Sequence, residues 1–169
     1  MKGRNYSNLE GKLDLSDFVN LKELSCRLNK LTSLDLSNCP KLEEVACNDN
    51  LLTSLALPSN LTNLRELDLS NNNFPVNQDL SFLTPYTSLE RVWLENNNKK
   101  RINQDIYNHF SGSLDYLSNM KKLKKLDISN TDIDEVDVNK LPTSLKSIKY
   151  SIEERPSCKL TKIVSQLDV

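Results

Sequence analysis

Glycine, histidine and tryptophan are scarce in this chain of 169 residues, with three, one and one respectively. So few glycines leave the tight turns to other residues, and asparagine is abundant in their place. Its side-chain amide can shape loops by bonding nearby backbone. A single histidine, His109, has no second imidazole with which to complete the common zinc or triad arrangements. No GxGxxG, GxxxxGK or HExxH spacing occurs, so nucleotide binding and zinc hydrolysis have no local support. The net charge is also close to nil. Twenty-two basic against 23 acidic residues give −1, which exerts no global pull toward nucleic acid or an anionic membrane, so any charged function is local. Long apolar runs are missing too. The opening "MKGRNYSNLEGK" lacks the apolar stretch of a secretory signal, and nothing approaches the length that spans a bilayer. The chain therefore reads as soluble and cytoplasmic, although a signal upstream of a cut chain would leave no trace in these residues. Four cysteines without CxxC spacing do not describe a disulfide scaffold.

What the chain has is a repeat. "LKELSCRLNKL" at 21–31 is answered by "LEEVACNDNLL" at 42–52. In register the copies read Leu21, Leu24, Cys26, Asn29, Leu31; then Leu42, Val45, Cys47, Asn50, Leu52; then Leu64, Leu67, Leu69, Asn72, Phe74. Leu89, Val92, Leu94 and Asn97 restart the series. Leu123, Leu126, Ile128, Thr131 and Ile133 follow, and Leu145, Ile148 and Tyr150 make a partial last copy. A second half recurs as Leu13/Leu15, Leu34/Leu36, Leu55/Leu57 and Val136/Val138. On these residues the chain resembles the leucine-rich-repeat family, whose pattern is LxxLxLxxNxL.

The resemblance implies an α/β solenoid: a curved parallel β-sheet on the concave face, a mostly irregular convex face and a C-terminal capping helix. Physical reasoning agrees. Alternation in "LxL" turns one side of each short strand inward, and the asparagine bends the chain away while bonding otherwise unpaired backbone. A hydrophobic fraction of 37% supports one core, so the expectation is a single domain over 1–169 with about six repeats. Residues 89–122 form an irregular repeat, and residues 155–169 form a cap in which Pro156 opens a helix bearing Leu160, Ile163, Val164 and Leu167. The start resembles half a repeat, so a fragment of a larger array is also open. Within the irregular repeat, Ile102, Ile106 and Phe110 predict a helix over 101–110 on the convex side, stopped near Gly112. Leu114, Leu117, Met120 and Leu123 predict a second turn or helix feeding the next strand.

Chemistry is sparse. Cys26 and Cys47 occupy equal inward places and read as small core residues with free thiols. Cys39 and Cys158 belong to no ligand spacing. No enzyme, cofactor or metal site is expected. The concave stripe, by contrast, can be written down from the alternation. One outward column holds Glu23, Glu44, Glu66, Arg91, Lys125 and Ser147, and the next holds Ser25, Ala46, Asp68, Trp93, Asp127 and Lys149. Arg27 and Glu95 lie just beyond. The stripe runs from acidic to mixed to basic, and its acidic half argues against nucleic acid despite the lysine clusters near 99 and 121. Trp93 stands in its middle, either as a contact for a partner or packed across the stems of Asp68 and Asp127. The resemblance implies a non-catalytic protein-interaction module that uses this face. The alternative is a structural or oligomerising fragment of a larger signalling protein, of kinase-like or ubiquitin-ligase type, with self-association through the N-terminal edge. No membrane role is expected.

Overall fold

The computed structural model of the protein describes residues 8–76 and 78–167. Its strands in chain order are β1 (Glu10–Asp14), β2 (Glu23–Ser25), β3 (Lys30–Asp35), β4 (Glu44–Ala46), β5 (Ser54–Ala56) and β6 (Glu66–Asp68). They continue as β7 (Arg91–Trp93), β8 (Ser111–Ser113), β9 (Lys125–Asp127), β10 (Asp132–Glu135) and β11 (Ser147–Lys149). Two helical turns, α1 (Lys99–Ile102) and α2 (Val164–Leu167), complete the set together with 3-10 turns at Leu80–Leu83, Leu114–Leu117, Val138–Lys140 and Lys159–Lys162.

Six strands form one parallel sheet in the order β2-β4-β6-β7-β9-β11. Its central column runs Leu24, Val45, Leu67, Val92, Leu126 and Ile148 without a slip of register. This is the middle residue of each "LxL", and its inward side chain is buried in the four inner strands. Leu24 and Ile148, on the outer strands, have a neighbour on one side only and are partly buried. The opposite side carries two shorter parallel ladders, β1-β3-β5 and β10-β8. The first aligns Leu13, Leu34 and Leu55, the recurring second half of the repeat. Between the two sides, Leu31, Leu52, Phe74, Phe110 and Ile133 fill the core.

The 3-10 turns at Leu80 and Leu114 begin at side-chain caps. Asp79 accepts from the Ser81 N–H and Ser113 from the Asp115 N–H, and both turns bury their leucines completely. The second of these is the predicted turn that feeds β9.

The asparagines form a ladder. Asn50 accepts from Leu31 N (3.0 Å) and donates to the carbonyls of Cys26 (2.9 Å) and Cys47 (3.0 Å), so it stitches its own bend to the preceding one. Asn72 repeats the set with Leu52 N, Cys47 O and Leu69 O. Both are fully buried, and each satisfies backbone groups that would otherwise be stranded in the core. At the corresponding bends Leu28 before Asn29, Asp49 before Asn50, Asn71 before Asn72 and Asn130 before Thr131 adopt positive φ. Asparagine and aspartate thus supply three of these four left-handed positions, which glycine would supply elsewhere.

Two expectations are corrected. The helix predicted over 101–110 ends at Ile102, because Asp105 takes φ 60°, which no right-handed helix accommodates. Phe110 belongs to the core column instead, and its carbonyl accepts from Asp132 N. Gly112 lies inside β8 rather than at a helix end. The cap is built as a 3-10 turn followed by α2, with Leu160, Ile163 and Leu167 buried and Pro156 ahead of both.

Candidate functional site: the concave sheet and its asparagine edge

Strand register sets the two outward columns side by side. Glu23, Glu44, Glu66, Arg91, Lys125 and Ser147 are direct neighbours in turn, as are Ser25, Ala46, Asp68, Trp93, Asp127 and Lys149. A third row follows the inward residue after each strand. Backbone bonds link Leu28 to Asn48, Asp49 to Ser70, Asn71 to Glu95 and Asn96 to Ser129, which aligns Arg27, Asn48, Ser70, Glu95 and Ser129.

The charge along these rows differs from the simple acidic-to-basic run. Arg91 forms an ion pair with Glu66, and Lys149 Nζ lies 3.1 Å from Asp127. The basic groups of the middle and far strands are thus largely matched by acidic neighbours, while Lys125 stays exposed. Glu23, Glu44 and Glu66 stand opposite one another as like charges, an arrangement that costs stability in a sheet. The negative character of the surface therefore extends to its centre.

Trp93 sits between Asp68 and Asp127 and is partly exposed. With Arg27, Glu44, Glu66 and Asp68 it walls a shallow depression of about 200 Å³ whose floor includes Val45 and Ala46. A larger groove of about 560 Å³ lies elsewhere, between Val138–Ile148 and Leu167 at the C-terminal end, lined mainly by apolar and uncharged polar groups.

Among the described residues, five buried side-chain polar atoms have no hydrogen-bond partner, and four of them lie on the concave side: Asn48 Oδ1, Arg91 Nε, Glu95 Oε2 and Ser129 Oγ. Glu95 is 8% exposed. Burial, with the charges of Asp127 and Asp68 adding to it, pushes its carboxyl up to about 8, against a smaller opposing effect of its own backbone N–H. Burial also raises Asp68, although the Ser70 hydroxyl and N–H bind its carboxylate.

The irregular repeat departs from the convex side to which it was assigned. Asn97 does not take the ladder position. That place belongs to Asn108, which accepts from Phe74 N (3.4 Å) and donates to Leu69 O (2.8 Å) and Leu94 O (3.4 Å). Residues 97–107 are therefore an insertion at the asparagine bend, and they run along the edge beyond the strand ends. Asn71 Oδ1 accepts from Asn97 N and Asn98 N, and Arg101 reaches back to the Asn50 carbonyl. The signal for Asn108 was legible, because a ladder asparagine is followed two places on by an apolar residue. Asn97 has Lys99 there, whereas Asn108 has Phe110.

At the far end of the insertion, Tyr107 and His109 pack ring on ring (4.2 Å), and the Arg155 guanidinium lies 3.9 Å over Tyr107. Arg155 also bonds both carboxylate oxygens of Asp132 at 3.1 Å. His109 Nδ1 is 3.8 Å from that same carboxylate. Because Asp132 is committed to Arg155 and to Lys159 N, it does not orient His109 as a base would be oriented. Burial holds the imidazole below its ordinary value, with Asp132 acting in opposition. The cysteines behave as core. Burial pushes the Cys26 thiol up to about 11 and Cys47 well above its ordinary value, where neither is an effective nucleophile at neutral pH. Among the described residues no group of three or more histidine, cysteine or acidic side chains is arranged to hold a metal ion, and no helix is long and apolar enough to cross a membrane.

Stacked parallel strands closed by an asparagine ladder define a solenoid of leucine-rich repeats. The family model described as Leucine Rich repeats (2 copies) matches residues 40–85. Two solved structures are similar over 83% of the chain at 26% identity, the LRIM1/APL1C complex (TM-score 0.59) and the functional domain of InlJ from Listeria monocytogenes, which includes a cysteine ladder (TM-score 0.54). The chain spans 28% and 32% of the lengths of those two chains. No curated protein sequence matches it. Repeats of this family generally act as protein-interaction modules, and the fold is typically non-enzymatic.

Proposed function

We propose that this chain is a non-catalytic module that holds a protein partner on its concave sheet, with Trp93 at the centre of contact. Asp68, Asp127, Glu66 and Arg91 surround it, with Glu44, Glu23, Arg27, Glu95 and Lys125 further out. The observation that carries this reading is the gathering of unpartnered buried polar atoms on one side of the solenoid, around the only tryptophan of the chain. Such groups cost stability in the free protein, and a bound partner can satisfy them. A partly exposed indole beside them is the kind of side chain that dominates interface energetics.

The test compares partners captured by proximity labelling with the native chain, with Trp93→Ala/Asp68→Lys, and with the convex control Lys12→Glu, after circular dichroism shows that all three fold alike. Partners retained by native and control chains and lost from the double variant support the concave face. Equal recovery by all three removes it.

A structural or oligomerising role within a larger signalling protein is the second reading. It draws on the exposed Phe18, Val19 and Leu28 at the N-terminal edge. Sedimentation over a concentration range that finds only monomer counts against self-association there. The setting proposed is the reducing cytoplasm, in keeping with four cysteines that remain free thiols.

A further inference from the structure

We propose that the centre of the concave sheet receives a lysine or arginine side chain of the protein partner, its stem along the Trp93 indole and its cationic head toward Glu95, Asp68 and Asp127. This rests on the reading that the concave sheet is the interaction face, and it names the chemistry that the face selects.

Three independent features point to a cation. The first is the residual charge. Arg91 on the same strand is paired with Glu66 and Lys149 on β11 with Asp127, so an anionic ligand would have to displace those pairs, while Lys125 on β9 and Arg27 at the wall of the depression form no ion pair among the described residues. The acidic groups beside the indole have room for a partner, since Asp68 forms no ion pair with a described residue and Glu95 Oε2 has no hydrogen-bond partner among them. The second is the aromatic. Trp93 lies in register directly between Asp68 and Asp127, so the side chain type that best attracts a cation through its ring neighbours two acidic residues. A basic side chain suits this geometry because its apolar stem covers the ring while its head stays with the charges. The third is the unsatisfied pair formed by the Glu95 carboxylate oxygen and the neighbouring Ser129 hydroxyl, each on a residue more than nine-tenths buried. Both accept hydrogen bonds, and ammonium and guanidinium groups offer only donors.

The carboxylates are spread over separate strands and are not arranged to chelate one metal ion, which favours an elongated organic cation. The depression beside Trp93, about 200 Å³, is of a size for one side chain rather than a small-molecule cofactor.

Proton linkage follows from this arrangement. The charged groups facing Glu95 are Asp68 on β6, Asp127 on β9 and Lys149 on β11, the last already paired with Asp127. A bound cation favours the ionised form of Glu95, so binding releases a proton. Affinity therefore rises with pH up to the value of about 8 at which the free protein's carboxyl titrates, and levels off above it.

The single tryptophan makes the test direct. The full chain is titrated with a blocked tri-arginine peptide and, separately, a blocked tri-glutamate peptide, between about pH 6 and pH 9, with Trp93 fluorescence as the signal. The expected result is a saturable change with tri-arginine only, tighter at the alkaline end. Glu95→Gln loses the pH dependence and weakens binding several-fold at the alkaline end, Glu95→Asp keeps the dependence, and Glu135→Gln on the convex β10 changes neither. Thermal melts confirm that each variant folds. No saturable change with tri-arginine, an equal or larger response to tri-glutamate, or an unaltered pH profile in Glu95→Gln overturns the proposal. If tri-arginine fails while Trp93→Ala/Asp68→Lys still loses the captured protein partner, the cationic anchor falls and the interaction face stands. If both fail, both fall.

Discussion

Glu95 shows how a neighbourhood can set the behaviour of one residue. It follows a buried leucine on a bend and shares its surroundings with Asp127 and Asp68, so its ionised form is disfavoured by lost water first and by like charge second. In the unfolded chain this carboxyl titrates at its ordinary value of about 4.5, and in the folded chain at about 8. Between those values the folded state holds a proton that the unfolded state has released. The stability linked to that proton is complete below about pH 4.5 and declines as pH rises toward 8. A shift of this size corresponds to roughly 2–4 kcal/mol once relaxation is allowed for. Glu95→Gln, isosteric and uncharged, is expected to be more stable than the native chain near pH 8 and about equal to it near pH 5. Urea unfolding at both pH values measures the difference, and a gap that does not change with pH would show that Glu95 is solvated in the folded state. Asp68 is shifted in the same direction, so the contrast between variant and native chain, rather than the native curve alone, isolates Glu95.

Among the elements, the insertion of residues 97–107 and the C-terminal cap are clasped to each other. Arg155 covers Tyr107 and bonds Asp132, while Lys99 of α1 lies 3.3 Å from Glu154. Arg155 and Asp132 are both mostly shielded, with side-chain exposures of 12% and 16%, so removing one partner strands the other. Arg155→Met is expected to destabilise by about 3 kcal/mol. The amides of 158–167 should lose hydrogen-exchange protection before those of β4 and β6, whereas uniform loss would show that the cap is not a separate unit. The sequence reveals these elements unevenly. Inward columns such as Leu24 to Ile148 are plain because the same alternation recurs six times, and each copy corrects the others. The clasp is not, because Arg155, Tyr107 and Asp132 are far apart in the chain and belong to no repeat. The irregular repeat misleads for a physical reason. Ile102, Ile106 and Phe110 are spaced as on a helix, yet Phe110 answers to the core column set by Phe74, and tertiary packing overrides local periodicity. Among the concave residues, alternation indicates that Glu66 and Arg91 face outward but not that they neutralise each other. It also gives no hint that Glu95, one of several polar residues beyond a strand, is buried.

For the whole molecule, each repeat touches chiefly its neighbours, so cooperativity depends on the weakest junction between them. That junction is where the insertion returns to the array. Phe110 is fully buried and stacks on Phe74 at 5.2 Å and on Phe82 at 5.8 Å, joining the repeats before the insertion to those after it. On the convex side the ladder β1-β3-β5 does not extend to β8-β10, and the backbone bridges this point only through His109 N to Phe74 O, Ser111 N to Gln78 O and the pairing of Asp79 with Ser111. The aromatic stack reinforces this short link, together with the concave pairing of β6, β7 and β9. Phe110→Ala is expected to cost about 3–5 kcal/mol, because the ring leaves a cavity between layers that the flanking strands are too short to close. The manner of unfolding should change as well. With the junction weakened, the repeats on either side lose the interface that makes them melt together, and the end with the fewer repeats, β10, β11 and the cap, should open first. Urea unfolding followed by Trp93 fluorescence, which reports the middle of the concave sheet, and by hydrogen exchange at β10 separates the two halves. Non-coincident transitions in the variant and coincident ones in the native chain are the expected result. A single shared transition in Phe110→Ala would mean that backbone pairing alone keeps the solenoid cooperative and that the aromatic stack contributes only its own burial.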